Sequence, residues 1–324
     1  MDKPAVPSLT MLYAFVTFAF CITVNAQQTI PVPDNLVANL PPIPAAIAED
    51  VAPYTEARSA FLAEWHPVKK KMLITTRFGN APQIHEVKMP GGDRKQLTFF
   101  AEAPSEASFE PVKGEYLLFT KDKGGDEFGS IYRYDYSTGK STMIAGAPRS
   151  QNGGITWNKK GSRILYTSTR RNGKDRDAYM MDPLNPSTDK KVLELEGGGW
   201  GVSDWSDDEK YILLTNYISV NESAMWMYEV AANKLTQFLP KAAERESYGG
   251  LQFSNDGKSV YILTSSGSQF VRPAVVDITS KKITYLVSDI NWEIEEYRIT
   301  EDGKKAAYHT CPYILHCTKI GVFS

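Results

Sequence analysis

The sequence predicts an all-β protein, a β-propeller built from four-stranded blades. Three observations support this class: a short phrase recurs at a nearly constant interval, a strand–turn–strand pattern follows each copy, and the repeat region shows no helical periodicity. A four-stranded sheet of about 45 residues that stacks between copies of itself is a propeller blade. Because one blade cannot bury both of its faces alone, its stability depends on its neighbours.

The first 26 residues predict a signal peptide. Lys3 gives a positive start, Leu9–Val24 is an uninterrupted run of apolar or small residues, and Val24–Ala26 places small residues before Gln27. The run has 16 residues, fewer than the roughly 20 that a spanning helix needs, and an uncleaved anchor is the alternative. We therefore expect a secreted or periplasmic protein, with residues 27–60 as an N-terminal extension.

The balance of charged residues bears on which classes of partner the protein can bind. Lys and Arg number 36 against 38 Asp and Glu, for a formal charge of −2. Such a balance gives no electrostatic reason to expect nucleic acid or an anionic membrane as a partner. Cys21 lies in the signal, and Cys311 and Cys317 lie near the C-terminus, so the body of the mature chain has no disulfide.

The recurring phrase opens with an aromatic residue and a polar turn, followed by apolar β-forming residues. Its copies read WHPVKKKMLIT, FEPVKGEYLLFT, WNKKGSRILYT, WSDDEKYILLT, FSNDGKSVYILT and ITEDGKKAAY. The residues that open them, here called anchors, are Trp65, Phe109, Trp157, Trp205, Phe253 and Ile299, with spacings of 44, 48, 48, 48 and 46. A functional site usually occurs once in a sequence, whereas the motif of a blade is repeated, so we interpret the phrase as structural. In its fifth copy we predict a turn at Asp256–Gly257 and a strand at Val260–Leu263.

The rest of each repeat reads as a hairpin, for example IYRYDYSTGKSTMI or MWMYEVAANKLTQFL. Strands such as YILLT and RILYT are apolar at nearly every residue, which indicates burial on both faces. Glycines often precede an anchor, as at Gly153–Gly154 and Gly249–Gly250, and predict a tight bend there.

Five anchors begin complete repeats, and the sixth begins a repeat that is not completed. We expect five complete blades and the start of a sixth over residues 61–308, in an incomplete ring. The stretch HTCPYILHCTKIGVFS at 309–324 is foreign to the repeat, and a truncation or frameshift after about Tyr308 would explain it. Sequencing the DNA downstream of codon 308 tests this expectation.

The phrase FSNDGKSVYILT resembles the repeat of TolB-like propellers. The same repeat builds the N-terminal propeller of the prolyl oligopeptidase family, in its dipeptidyl-peptidase and acylaminoacyl-peptidase branches. The resemblance covers about residues 61–308, and PPIPAAIAEDVAPYTEARSAFLAEWHP resembles the lead-in of secreted bacterial peptidases of that kind. It implies a propeller that caps a hydrolase active site and filters substrates by size.

A peptidase of that family needs a G-x-S-x-G nucleophile elbow followed by Asp and His. The sequence has none, and the nearest stretch, GVSDW at 201–205, lacks the second glycine. His66, in a repeat turn, and His85, in a strand, are interpreted as structural. We therefore predict no catalytic residue, no cofactor and no catalytic domain in this chain.

Other candidate sites are weaker. His309, Cys311, His316 and Cys317 offer metal-binding groups, but their spacing matches no usual zinc pattern, so we predict no metal site. The loop Asp122–Glu127 could bind calcium, although a solvated hairpin loop fits it better. Arg170 and Arg171 could meet a carboxylate.

The stretch NWEIEEYRI carries a possible substrate site. Glu293, Glu295 and Glu296 follow Trp292 and superficially resemble the glutamate cluster with which dipeptidyl-peptidases bind a substrate's amino terminus. The alternative is an ordinary inner strand, since every blade has one at this point.

Three functions fit these observations. The first is a non-catalytic propeller region of a secreted or periplasmic prolyl-oligopeptidase-type peptidase, here truncated, with a peptide or protein partner. The second is a stand-alone TolB-like periplasmic scaffold for protein interactions. The third, a lactonase or lyase with an axial metal, needs carboxylates or histidines converging from several blades, and the repeats show no such ring. We favour the first and keep the second as the alternative.

Overall fold

The computed structural model describes residues 28–30, 41–240, 245–300, 303–310 and 319–323, the last of these as backbone only. The predicted signal peptide lies outside these residues. The chain divides into two compact units, Met1–Arg58 and Ser59–Ser324. In the first unit, helix α1 (Ala45–Thr55) follows Pro44 and buries none of its residues. No helix within the described ranges combines the length and apolar character needed to cross a membrane.

The second unit consists of five four-stranded sheets and a three-stranded one, each antiparallel and in chain order. Blade 1 contains β1 (Ala60–Trp65), β2 (Met72–Thr76), β3 (Gln83–Val87) and β4 (Lys95–Gln96). Blade 2 contains β5 (Ser105–Phe109), β6 (Tyr116–Lys121), β7 (Ser130–Asp135) and β8 (Lys140–Ala145). Blade 3 contains β9 (Asn152–Trp157), β10 (Ile164–Ser168), β11 (Asp177–Asp182) and β12 (Asn185–Leu193).

Blade 4 contains β13 (Trp200–Trp205), β14 (Tyr211–Ser219), β15 (Glu222–Glu229) and β16 (Lys234–Leu239). Blade 5 contains β17 (Tyr248–Phe253), β18 (Ser259–Thr264), β19 (Arg272–Asp277) and β20 (Ile283–Tyr285). The sixth sheet contains β21 (Ile294–Ile299), β22 (Ala306–Thr310) and β23 (Lys319–Phe323). The predicted all-β propeller with five complete blades is confirmed. The sixth repeat is incomplete, as the sequence predicts, and its sheet has three strands, because β23 pairs with β22 along its whole length.

The polar turn after each anchor is built by its own side chains. In blade 5 the Ser254 hydroxyl donates to the Asp256 carboxylate at 2.6 Å and accepts the Ser259 N–H at 3.0 Å. Gly257 supplies the left-handed backbone that closes the turn, with φ of +66°. Blade 4 repeats the arrangement with Ser206 and Asp208. These bonds explain why the phrase recurs, since each copy directs the chain from the first strand of a sheet into the second.

Four apolar clusters hold the ring together, and each contains residues of two successive blades, from blades 1 and 2 to blades 4 and 5. Four of the six anchors belong to these clusters or pack against them: Phe109, Trp157, Trp205 and Phe253. Phe109 packs with Leu73 of blade 1, and Phe253 packs with Leu213 of blade 4. The stability of the fold therefore comes from packing between blades, as the apolar strands predict.

Every first strand carries a β-bulge before its anchor. Pairing with the second strand shifts between Leu62 and Glu64 in blade 1, and the corresponding shift occurs in each of the other five sheets. In blades 3 and 5 the bulge includes Gly154 and Gly250, whose φ values are +68° and +58°. A bulge bends the strand and re-aims the side chains beside it. In each first strand the bulge precedes the residue that stands directly before the anchor, such as Glu64 in blade 1.

Candidate functional site

The first strands of successive blades contact one another from β1 to β17, so they form the inner wall of the ring. Two cavities open along this wall near the sixth sheet, and both are lined by Glu296, Tyr297 and Arg298 of β21. One, of about 510 Å³, also includes Asp204 of blade 4 and Gly250 of blade 5. The other, of about 590 Å³, includes residues of blade 1. We call them the inner cavity and the seam cavity, since the latter lies where the last sheet meets the first blade.

The residue before each anchor decides the chemistry of the wall. At this position the six sheets carry Glu64, Ser108, Thr156, Asp204, Gln252 and Arg298. The Glu64 carboxylate accepts the backbone N–H of Phe109 on the next blade. The Asp204 carboxylate accepts the N–H of Phe253 at 2.6 Å in the same way. Two acidic side chains thus join neighbouring first strands at the centre of the ring.

Burial makes both carboxyl groups unusually weak acids. Loss of hydration raises the pKa of Glu64 to about 7, although the Phe109 N–H and the charge of Arg298 oppose the rise. Burial likewise raises the pKa of Asp204, against the N–H groups of Phe253 and Trp205. Near neutral pH, Glu64 can therefore hold or release a proton at the edge of the seam cavity.

Arg298 is the cationic group of both cavities. Its side chain is 83% exposed, and its guanidinium contacts the Glu296 carboxylate at 2.6 Å. A cation so exposed is not fixed by burial, and it remains able to exchange Glu296 for an anionic ligand. The two cavities therefore offer two weakly acidic carboxyl groups, two further carboxylates and one guanidinium to a bound molecule: Glu64, Asp204, Glu295, Glu296 and Arg298.

The structure separates the three glutamates that the sequence proposes for substrate binding. Glu295 is the extra residue of the β21 bulge and pairs with His309 Nδ1 at 3.3 Å, while Glu296 pairs with Arg298. Both line the inner cavity. Glu293 lines neither cavity, and its backbone carbonyl accepts the Thr310 hydroxyl at 2.6 Å. The recognition role of all three stays a prediction.

The anchors differ in burial. Phe109, Trp205 and Phe253 are buried, and Trp157 is half-buried beside Tyr116 of blade 2. Trp65 is 60% exposed and lines the seam cavity. Its neighbours on β1, Phe61 and Leu62, are 68% and 54% exposed. Blade 1 thus presents aromatic and aliphatic side chains at the seam, where the other blades pack theirs against a complete preceding blade.

Sequence reasoning missed Glu64, Asp204 and Arg298. The signal that could have found them is their shared place in the repeat, directly before the anchor, where three of the six copies carry a charged residue. Charges on an apolar inner strand need a partner or solvent. The ring supplies the partners of Glu64 and Asp204, because each accepts an N–H group of the next blade, whereas Arg298 pairs with Glu296 of its own strand.

Two loops named from the sequence prove to be internally bonded. In the Asp122–Glu127 loop, Asp126 accepts the N–H of Phe128 at 3.0 Å, and Asp122 accepts the N–H of Glu127 at 3.2 Å. In blade 3, Arg170 pairs with Asp189, and Arg171 pairs with Asp177 at 2.7 Å. The charged groups of both loops therefore have partners within the protein, although Asp122 and Glu127 also line a cavity of about 670 Å³.

The remaining candidates are histidines and metal ligands. His66 and His85 are buried, in keeping with a structural role. Cys311, His316 and Cys317 lie outside the described residues. Within the described ranges, no three His, Cys, Asp or Glu side chains come close enough to hold a metal ion.

Neither a known protein family nor a curated protein matches this sequence. Solved structures do match. TolB from Acinetobacter baumannii is 16% identical with a TM-score of 0.54, and the match covers 82% of this chain and 61% of that one. A structure from a study of two prolyl endopeptidases is 14% identical with a TM-score of 0.61, covering 82% and 43%. An oligogalacturonate lyase in complex with manganese is 12% identical with a TM-score of 0.60, covering 77% and 72%.

These likenesses establish the fold, a propeller of the kind found in TolB and in a prolyl endopeptidase. The chain spans less than two thirds of either of those two proteins. The predicted resemblance to TolB-like and prolyl-oligopeptidase propellers is confirmed at the level of the fold. Enzymes and non-enzymes share such folds, so function has to be argued from the site.

Proposed function

We propose that this chain is a non-catalytic propeller region of a secreted or periplasmic prolyl-oligopeptidase-type serine peptidase, which admits peptides to the centre of the ring and binds them there. The seam cavity carries the proposal, as an opening of about 590 Å³ between blade 1 and the sixth sheet. The fold shared with a prolyl endopeptidase supports the peptidase context. The apolar run Leu9–Val24 supports export.

The lining of the cavities suits a peptide. Trp65 and Leu62 offer exposed apolar surface in the seam cavity, which a peptide side chain can cover. Glu295 and Glu296 offer carboxylates in the adjoining inner cavity, which can replace their present partners with a protonated peptide amino terminus. The proposal therefore assigns apolar contact to blade 1 and charge recognition to β21.

Calorimetric titration of the mature chain with a short peptide tests this assignment. A peptide with a free amino terminus should bind more tightly than its acetylated form. Glu295→Gln/Glu296→Gln should weaken binding of the free form about fivefold and leave the acetylated form unchanged, since only the former carries the charge. The matched control Glu196→Gln/Glu229→Gln removes two charges that line neither cavity and should have no effect. Equal binding of both peptides, or equal loss in both variants, would overturn the assignment.

The non-catalytic part of the proposal has its own test. A fluorophosphonate probe labels the activated serine of serine hydrolases. We expect no labelling of the purified chain under conditions that label a prolyl endopeptidase. Stoichiometric labelling of a serine would contradict the proposal.

The alternative is a stand-alone TolB-like periplasmic scaffold that binds protein partners. The likeness to TolB from Acinetobacter baumannii favours it. Size-exclusion chromatography separates the two: a scaffold should be a stable, soluble monomer, whereas a propeller region with an open seam should self-associate through its exposed apolar residues.

A further inference from the structure

Another cavity, of about 780 Å³, lies between blades 1 and 2 and shares no lining residue with the two central cavities. Its walls are the β1–β2 turn with Lys69–Lys71, the end of β3 with Lys88, and the β5–β6 turn with Lys113. We call it the basic pocket. Five lysines line it against two glutamates, Glu86 and Glu115. The pocket thus concentrates positive charge that the overall charge of −2 conceals.

Most of this charge is uncompensated. Glu86 is buried and pairs with the Lys71 ammonium at 2.5 Å, which leaves that pair neutral. In the described part of the chain, the ammonium groups of Lys69, Lys70, Lys88 and Lys113 form no ion pair. All four residues are exposed. Like charges held around one cavity repel each other, and a bound anion relieves that repulsion.

The lysine-bearing turn is held in place from within. Nδ1 of buried His66 accepts the backbone N–H groups of Val68 and Lys69, each at 3.1 Å. Burial lowers the pKa of His66, and the charges of Lys71 and Lys69 lower it further, so the ring stays neutral and Nδ1 remains an acceptor.

The turn of blade 2 packs directly on this histidine. Gly114 has φ of +64°, and a Cβ atom added there would lie 2.6 Å from His66 Nε2. The backbones that carry the lysines of blade 1 and Lys113 of blade 2 are therefore fixed relative to each other. A site assembled before its ligand arrives loses less entropy on binding.

We propose that the basic pocket binds a phosphate-bearing anion. Lysines act as point charges toward phosphate oxygens, and here they converge on a concave site rather than forming a flat face or a groove along a strand. The phosphate can come from a free phosphorylated compound or from a lipid headgroup. The two sources share the contacts and differ in whether a membrane is required.

Titration of the full mature chain with pyrophosphate at low ionic strength tests the proposal. We expect saturable binding at one site and about tenfold weaker binding in Lys70→Gln/Lys113→Gln, which removes one cation from each blade. The control Lys140→Gln/Lys234→Gln removes two exposed lysines outside the pocket and should bind as the wild type does. Circular dichroism and thermal unfolding confirm that each variant is folded.

A second experiment shows whether the phosphate comes from a lipid headgroup or from a soluble compound. Cosedimentation is measured with phosphatidylglycerol vesicles and with neutral phosphatidylcholine vesicles. Binding to the anionic vesicles that is lost in Lys70→Gln/Lys113→Gln assigns a lipid headgroup, and pyrophosphate binding alone assigns a soluble ligand. Binding of neither probe, or equal binding by the pocket and control variants, would overturn the proposal.

Discussion

At the scale of single residues, position in the repeat decides what a carboxylate does. Glu64 and Asp204 both stand directly before an anchor, and both accept a backbone N–H of the following blade. That bond joins two first strands, but it holds the acid in a poorly hydrated place. The same contact that stabilises the ring therefore raises the pKa of each group.

Glu64→Gln should change how stability depends on pH. The carboxyl has a pKa of 4.5 when unperturbed and about 7 in the folded chain. Between these values the folded state binds the proton more readily than the unfolded state, so the free energy of unfolding falls as pH rises through this window. Glutamine does not titrate, so the variant should gain about 1–2 kcal/mol relative to the wild type between pH 5 and pH 8.

Urea unfolding at the two pH values measures this difference. Glu196→Gln, which changes an exposed glutamate that lines neither the two central cavities nor the basic pocket, serves as the control and should keep the wild-type pH dependence. If Glu64→Gln and the wild type lose stability in parallel, the raised pKa of Glu64 is refuted.

At the scale of the element, anchors of different blades lie in different environments. Phe253 is 6% exposed in a cluster with residues of blade 4, while Trp65 is 60% exposed at the seam. The turn and strand that follow each anchor are alike. The difference lies in the sheet on the other side, which is a complete blade for Phe253 and the three-stranded sixth sheet for Trp65.

Phe253→Ala and Trp65→Ala should therefore lower the free energy of unfolding by different amounts. We expect Phe253→Ala to lower the free energy of unfolding by about 3–5 kcal/mol, because it leaves a cavity between two blades. Trp65→Ala should cost less than about 1 kcal/mol, because most of that side chain is already in water. Chemical denaturation of both variants compares them, and similar losses would show that the seam is packed as the other interfaces are.

At the scale of the whole molecule, the interfaces between blades differ in how much apolar packing they contain. The four apolar clusters link blade 1 through to blade 5, and among the side chains that the structure describes, none in these clusters belongs to the sixth sheet. At the seam, Arg298 and Glu64 line the same open cavity and interact through their charges. A propeller with one weak interface can open there without unfolding elsewhere.

Hydrogen exchange followed by mass spectrometry should detect this difference. Amides of β21 and β22 should exchange well before those of β13 and β14, which lie within a complete blade. A peptide that occupies the seam cavity should slow exchange in β21. Uniform protection of all six sheets would contradict an open seam.

Much of the fold follows from the sequence. The period of 44 to 48 residues, the apolar strands and the polar turn after each anchor define the five blades and their order, because turn closure and strand burial depend on nearby residues. The glycines before the anchors mark the bulges at Gly154 and Gly250. The sequence predicts a cluster of Glu293, Glu295 and Glu296, and the structure places Glu295 and Glu296, but not Glu293, on the inner cavity.

The sequence by itself determined the class of fold, the number of complete blades and the absence of a G-x-S-x-G motif. Only the tertiary structure decided which charged groups meet. Glu64 and Arg298 lie more than two hundred residues apart, and Lys70 and Lys113 lie on different blades. Local pattern specifies a blade because its hydrogen bonds and turns are short-range. The sites form where blades adjoin, and electrostatic contact there depends on distances that no spacing along the chain encodes.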